Sequence, residues 1–524
     1  MSGTPARLVA DAIASALAAA RAGVAYGVPG GGSLDLVGAL DEQGLRFVLT
    51  HGETAAALMA SAGAEVTGRP GAVLVSRGPG AASVVNGVAH ALLERAPLLV
   101  VTDGAPAADA DRVPHQRLDH AALLGPVTKA SVRIGADGAA ALARAAVALA
   151  RTPPAGPVHL DAVLDLPSDA LDVPAAPAAG SVAAVEQALA SATRPVVLVG
   201  VGARGAGAAV RELVAGLDVP VLATYRAKGV VPESGPHAAG LVTGATIEAP
   251  LLHAADAIVC VGLDAVELIP AGWPYAAPVV SLAPWPTRDA YLPLAAELVG
   301  PLAETLPLVR PLLAGARWER PGRAFREDAL ARLVAPAGTR ISPHALVREA
   351  RAAFPDAVAT VDAGAHMLVA MPLWEVEAPG EALISSGLAT MGYALPAAIG
   401  SALARPRRRV VCLTGDGGLT MCLGELETLA RLGLPVTVVV FADAALSLIE
   451  AKQGPGQGGE RAVRTRPVDF AAVASGFGLP AWRATDRASL ANALAIAAAT
   501  PGPSLVDALV DPASYPDVLR AIRG

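Results

Sequence analysis

Residues 410–445, VVCLTGDGGLTMCLGELETLARLGLPVTVVVFADAA, decide the fold. An apolar run, VVCLT, breaks at Gly415-Asp416-Gly417-Gly418. A helical pattern follows through Glu425 and Arg431, and a second apolar run, VTVVVF, ends at Asp443. Strand, helix and strand at this length predict a βαβ unit with two parallel neighbours. Their C-terminal ends share one sheet edge, so Asp416 and Asp443 are expected side by side where ligands bind in open α/β sheets. The glycines let backbone N–H groups approach an anion closely, and the helix that follows adds its positive end. Two carboxylates beside such a cradle suit Mg²⁺ bridging to a diphosphate. The plainer alternative is two acidic turn residues after strands.

Strand and helix patterns alternate along the whole chain, which predicts α/β architecture with parallel sheets. The 524 residues suit three doubly wound domains, placed at 1–170, 182–320 and 335–524. An Ala- and Pro-rich linker (171–180) separates the first two. Composition is 53% apolar and 17% charged, enough for large cores and unlike a disordered chain. A net charge of −7, with one basic cluster at 405–409 that reads as a solvated turn, argues against nucleic-acid binding. Cys260, Cys412 and Cys422 have neither metal nor disulfide spacing and fit a reducing cytoplasm. Arg7, Asp11 and Arg21 make the first segment unlike a signal peptide. Prolines interrupt the apolar stretch 268–287, and Ser385-Ser386-Gly387, Gly392 and Pro396 interrupt 382–404. No membrane segment is expected.

In the middle domain, Gly200-Val201-Gly202-Ala203-Arg204-Gly205 follows the strand PVVLV and formally matches a dinucleotide-binding turn. The next strand ends in Thr224-Tyr225-Arg226, without the acidic residue that would hold a ribose. An NAD-dependent dehydrogenase is therefore the alternative from another class.

The 410–445 segment resembles the cofactor signature of thiamine-diphosphate enzymes, in which GDG is followed at a fixed interval by Asn or Asp; here the interval is 27 residues. Further segments resemble the acetolactate synthase and benzoylformate decarboxylase group. His51-Gly52-Glu53-Thr54-Ala55-Ala56-Ala57-Leu58-Met59-Ala60 is similar to an HE…AA…MA run, with Gly52 where relatives carry His. Ser76-Arg77-Gly78-Pro79-Gly80 is similar to TSGPG, and Tyr26-Gly27-Val28-Pro29-Gly30-Gly31 to the opening FG-x-PG turn. Val113-Pro114-His115-Gln116-Arg117-Leu118-Asp119-His120, with Gly125-Pro126-Val127-Thr128-Lys129, resembles catabolic acetolactate synthases. Asp362-Ala363-Gly364-Ala365-His366 and Ser385-Ser386-Gly387-Leu388-Ala389-Thr390-Met391-Gly392 resemble DxGxH and SGGLGTMG.

The resemblance implies pyrimidine-binding, middle and diphosphate-binding domains, with thiamine diphosphate and Mg²⁺ as cofactors. It implies Asp416, Asp443 and the main-chain oxygen of Ala445 as metal ligands. Gly364, His366, Gly415, Gly417, Gly418, Ser447 and Leu448 are implied around the cofactor, with Met391 as the wedge that bends it and the Ala389 carbonyl meeting its amine. Glu53 is implied as the carboxyl that drives the aminopyrimidine toward its imino form; taken alone, a Glu starting a helix is usually a solvated dipole partner. Gly31, His115 and Gln116 are implied to face substrate, though a polar loop with a satisfied His is the alternative for the last two. Ser447-Leu448-Ile449 replaces the GMV turn of biosynthetic acetohydroxyacid synthases, and Lys452 replaces their pocket Trp. Ile449 and Lys452 are thus substrate-side candidates, with Lys452 either recruiting an acidic substrate or facing solvent.

The implied activity is decarboxylation, carboligation or both on 2-oxo acids, by a lyase or transferase. A C–C lyase of the 2-hydroxyacyl-CoA type is the enzymatic alternative. The implied assembly is a homodimer or homotetramer whose active sites are shared between chains. Such pairing is expected to bury the charge-poor helices around Ala55–Ala62 and Leu395–Leu403.

Overall fold

The computed structural model describes residues 4–109, 112–175, 177–269, 271–287, 291–335 and 340–524. Ala176 of the expected linker and residues 336–339, at the start of the expected third domain, lie outside the described residues. Three parallel six-stranded sheets with helical crossovers carry the fold, as expected of a doubly wound α/β chain. Their central strands are Val-, Leu- and Ala-rich and buried on both faces, the pattern of a sheet covered by helices on each side, while several edge strands are partly exposed.

The first sheet comprises β1 (Val24–Val28), β2 (Arg46–Leu49), β3 (Gly71–Val75), β4 (Leu98–Asp103), β5 (Ala130–Ile134) and β6 (Pro157–Ala162), in the order β2-β1-β3-β4-β6-β5. The second comprises β7 (Pro195–Val199), β8 (Val221–Ala223), β9 (Ala238–Leu241), β10 (Ala257–Val261), β11 (Val279–Ala283) and β12 (Leu294–Val299), in the order β12-β11-β10-β7-β8-β9. The third comprises β13 (Val358–Val361), β14 (Ala382–Ile384), β15 (Val410–Gly415), β16 (Val436–Ala442), β17 (Ala481–Ala484) and β18 (Ser504–Leu509), in the order β14-β13-β15-β16-β18-β17. No described helix is long and apolar enough to cross a membrane.

Backbone contacts gather the described chain into two units. One holds Met1–Ala175, Leu395–Val410 and Met421–Val436; the other holds Ala176–Ala394, Val411–Thr420 and Thr437–Gly524. Within the first unit, helix Ala394–Ala404 lies against helix Glu53–Thr67 so closely that a Cβ on Gly400 would fall 2.1 Å from the Met59 carbonyl oxygen. This corrects one expectation. The apolar stretches 55–62 and 395–403 are already buried within one chain, apart from partly buried Leu403, so they provide no reason for pairing. The basic cluster is also less solvated than expected, because Arg405 donates to the Val66 carbonyl at 3.0 Å.

The helix expected after Gly418 is broken in two. After β15 a short helix, Asp416–Met421, ends before a second, Glu425–Leu432. Helices Pro79–Ser83 and Val85–Leu93 likewise meet at Val84. The turn at Gly200 opens into a 3-10 segment, Val201–Ala206, before helix Gly207–Val214. Its Val201 N–H donates to Glu267 Oε2 at 2.8 Å, so an internal carboxylate occupies the amide that an anionic ligand would take.

Candidate active site

In the second unit, a cavity of about 290 Å³ opens at the C-terminal edge of the third sheet. Gly364, His366, Ala389, Met391, Gly415, Asp416, Gly417, Gly418, Asp443, Ala445, Ser447, Leu448, Ile449 and Lys452 all line it. β15 and β16 end there as neighbours, which brings Asp416 and Asp443 together. Asp416 Oδ2 accepts from the backbone N–H of Asp443 at 3.1 Å and of Ala444 at 2.6 Å, while Oδ1 accepts from Gly417 at 2.7 Å. Asp443 Oδ2 accepts from the Ser447 hydroxyl at 2.6 Å, and Oδ1 from the Ala445 N–H at 3.1 Å.

Burial pushes both carboxyls up. Asp443 reaches about 6, chiefly through burial and further through the negative charge of Asp416. Two buried, mutually repelling carboxylates are the kind of oxygen donors that a hard divalent cation would stabilise. The glycines let neighbouring side chains pack closely around the cavity. A Cβ on Gly417 would meet the Leu446 side chain at 3.1 Å, and one on Gly415 would meet the His366 ring at 3.3 Å. Burial holds His366 down to about 4, hence neutral, and its ring stacks on Phe441 at 5.0 Å between centroids. Its Nε2 is buried without a hydrogen-bond partner among the described residues, leaving one polar atom for a ligand at the cavity. Ala389 holds φ +53°, left-handed backbone that a non-glycine residue adopts at a cost and that clusters at binding sites.

Several functional neighbours escaped the sequence reading. Asp362, at the end of β13, is fully buried and pushed up to about 6 by burial. It accepts from Thr414 Oγ1 at 3.0 Å and from the N–H groups of Gly392 and Tyr393 at 3.2 Å each. One carboxylate thus ties the loop carrying Met391 to the strand that delivers Asp416. Its place in the DxGxH run was the available signal. Tyr515 and Arg523 also line the cavity from the helix Tyr515–Arg523, and no local motif marks them.

In the first unit, Glu53 begins helix Glu53–Thr67 after the uncapped Gly52. The preceding loop is gripped from helix Glu425–Leu432. His51 N–H donates to Glu425 Oε1 at 3.0 Å, the His51 ring meets Glu427 at 2.7 Å, and Arg431 donates to the Leu49 carbonyl at 2.7 Å. Across the sheet edge, a Cβ on Gly80 would lie 3.4 Å from Glu53 Oε1, so the Gly78–Gly80 turn lies against that carboxylate. Gly31 is exposed with open space around its Cα. His115 and Gln116 lie in an exposed loop, with Gln116 at φ +55°. Gly31, His115, Gln116 and Glu53 therefore belong to one unit, and the other candidate residues to the second.

The comparisons with known proteins agree with this architecture. The N-terminal TPP binding domain of thiamine pyrophosphate enzymes matches residues 7–123, the central domain 182–307, and the C-terminal TPP binding domain 362–508. The catabolic acetolactate synthase of Raoultella terrigena is 30% identical, covering 96% of this chain and 95% of its own. An acetolactate synthase of Bacillus subtilis (strain 168) is 29% identical over 93% and 90% of the two chains. The acetolactate synthase isozyme 1 large subunit of Escherichia coli (strain K12) is 27% identical over 93% and 91%. The chain belongs to the thiamine pyrophosphate enzyme family, as an acetolactate synthase-like enzyme of thiamine-diphosphate-dependent 2-oxo acid decarboxylation or carboligation.

Proposed function

We propose that this enzyme uses thiamine diphosphate with Mg²⁺ to decarboxylate a 2-oxo acid and join the remaining fragment to a carbonyl acceptor. The observation that carries the reading is the meeting of Asp416 and Asp443 in a glycine-walled cavity, with both carboxyls raised by burial. In this reading Asp416, Asp443 and the Ala445 carbonyl hold the metal. Gly364, His366, Gly415, Gly417, Gly418, Ser447 and Leu448 surround the diphosphate end, Met391 supports the bend between the two rings, and the Ala389 carbonyl receives the ring amine. When bound, the cofactor would supply a nucleophilic carbon for the keto group and a cationic ring to take up the electron pair left behind as CO₂ departs. Glu53 holds a proton at the pyrimidine nitrogen. Gly31, His115 and Gln116 orient the substrate, with Ile449 and Lys452 on its far side.

From the family resemblance we infer a homodimer or dimer of dimers in which Glu53 of one chain serves the metal site of its partner. Three free cysteines suit a cytoplasmic setting. The deciding experiment is a panel of 2-oxo acids assayed with thiamine diphosphate and Mg²⁺ for CO₂ release and for ligated product. CO₂ release without ligation would make the enzyme a simple decarboxylase, and turnover of none would overturn the reading. Light scattering tests the assembly, which a fully active monomer would refute.

A further inference from the structure

A buried hydrogen-bond chain runs beneath the C-terminal edge of the first sheet, outside every residue so far given a role. His120, at the start of helix His120–Leu124, is 5% exposed. Its Nε2 faces the backbone N–H of Gly78 at 3.2 Å, and its Nδ1 faces Asp161 Oδ1 at 3.0 Å. An N–H can only donate, so Nε2 must be the acceptor, and the ring proton therefore sits on Nδ1 and points at Asp161. Asp161, at the end of β6, also accepts from Thr102 Oγ1 at 2.7 Å. The Thr102 oxygen in turn receives His159 Nε2 at 2.8 Å. Burial holds His159 neutral at about 4. Burial opposes ionisation of Asp161, yet the bonds from His120 and Thr102 keep its carboxyl below the ordinary value. Every donor in the chain runs toward one carboxylate, which leaves a single tautomer for His120.

The amide that His120 fixes is well placed. Gly78 has φ +67°, and a Cβ there would lie 2.6 Å from the backbone oxygen of Gln116. Two residues on, Gly80 lies against Glu53. A shift of the Gly78–Gly80 turn therefore disturbs two neighbours at once. Gln116, itself left-handed, depends on its surroundings to keep that conformation.

We propose that His120, its Nδ1 proton held by Asp161, is a positioning residue that fixes the Gly78–Gly80 turn and through it the stance of Glu53 and Gln116. The proposal rests on the functional reading above for its kinetic consequence, not for the positioning itself. His120→Leu removes both bonds at similar volume. His120→Gln keeps one acceptor and one donor. Hydrogen–deuterium exchange by mass spectrometry should show segments 76–80 and 114–118 exchanging about tenfold faster in His120→Leu, with helix Ala139–Arg151 unchanged. In the same variant kcat/KM for a 2-oxo acid should fall about tenfold to a hundredfold, while thiamine diphosphate affinity by calorimetry stays within about twofold. His120→Gln should recover most of both losses.

Unchanged exchange in His120→Leu would overturn the proposal. So would a loosened turn with undiminished kcat/KM, equal impairment of the Leu and Gln variants, or cofactor affinity that falls in step with activity. If His120→Leu does not fold, Asp161→Ala decides in the same way. It removes the acceptor that holds the Nδ1 proton of His120, so faster exchange at 76–80 is expected, and parental exchange would refute the idea. A parent enzyme inactive on every 2-oxo acid would sink the functional reading instead, and the exchange measurement would still decide the positioning.

Discussion

Glu267 offers a quantitative test of how the middle domain is built. Glu267 is a buried residue, and its carboxylate accepts from Thr224 Oγ1 at 2.6 Å, Val201 N–H at 2.8 Å and Asp264 N–H at 3.2 Å. Burial outweighs these bonds and raises the carboxyl from 4.5 to about 7. A raised acid favours the protonated form in the folded state. Between pH 4.5 and 7 the folded chain thus binds more protons than the unfolded one, and stability falls as pH rises. At pH 8 the full cost applies, about 3 kcal/mol; at pH 5 it is below about 1 kcal/mol. Glu267→Gln keeps the size, accepts from both N–H groups and can donate to Thr224, but carries no charge. It should melt higher than the parent at pH 8, by on the order of 5 °C, with the advantage shrinking toward pH 5. Melting both proteins across pH 5 to 8 reads this directly. A constant offset, or a parent that is more stable at pH 8, would refute the reasoning.

Glu53→Gln should lose at least about 10²-fold in turnover while its melting temperature holds, since a positioned proton relay is normally worth that much; steady-state kinetics with a thermal melt check it. Asp416→Ala and Asp443→Ala should each weaken thiamine diphosphate binding in calorimetry, and chelation should reproduce the loss; cofactor binding indifferent to chelator would disprove the metal assignment. Gly400→Ala places a Cβ 2.1 Å from the Met59 carbonyl oxygen, a backbone atom that cannot turn aside. It should destabilise by about 1–3 kcal/mol or more, read as a lowered denaturation midpoint. Thermal shifts should appear with thiamine diphosphate and Mg²⁺ and be absent with NAD, because a selective ligand raises apparent stability. A shift with NAD alone would restore the dehydrogenase reading.

Much of this protein was legible in its residue order, because the decisive features are local. A βαβ unit carries its own geometry, so GDGG, the spacing to Asp443 and the parallel neighbours follow from one stretch of chain, and β15 and β16 do pair through adjacent strand ends. The turns at Gly78, Gly364 and Ala389 sit at strand ends for the same reason. Tertiary structure decided the rest. A sheet ordered β14-β13-β15-β16-β18-β17 collects strand ends far apart in sequence, which makes Asp362 a hub for Thr414 and the 392–393 amides. Tyr515 and Arg523 reach the cavity by packing alone. The Gly200 turn reads as a nucleotide cradle until folding brings Glu267 onto its amide from 66 residues away. The charge-poor helices at 55–62 and 395–403 suggest a surface awaiting a partner, yet they bury one another within one chain. Periodicity reports that a face must be covered; which element covers it is set by long-range packing, which no local pattern encodes.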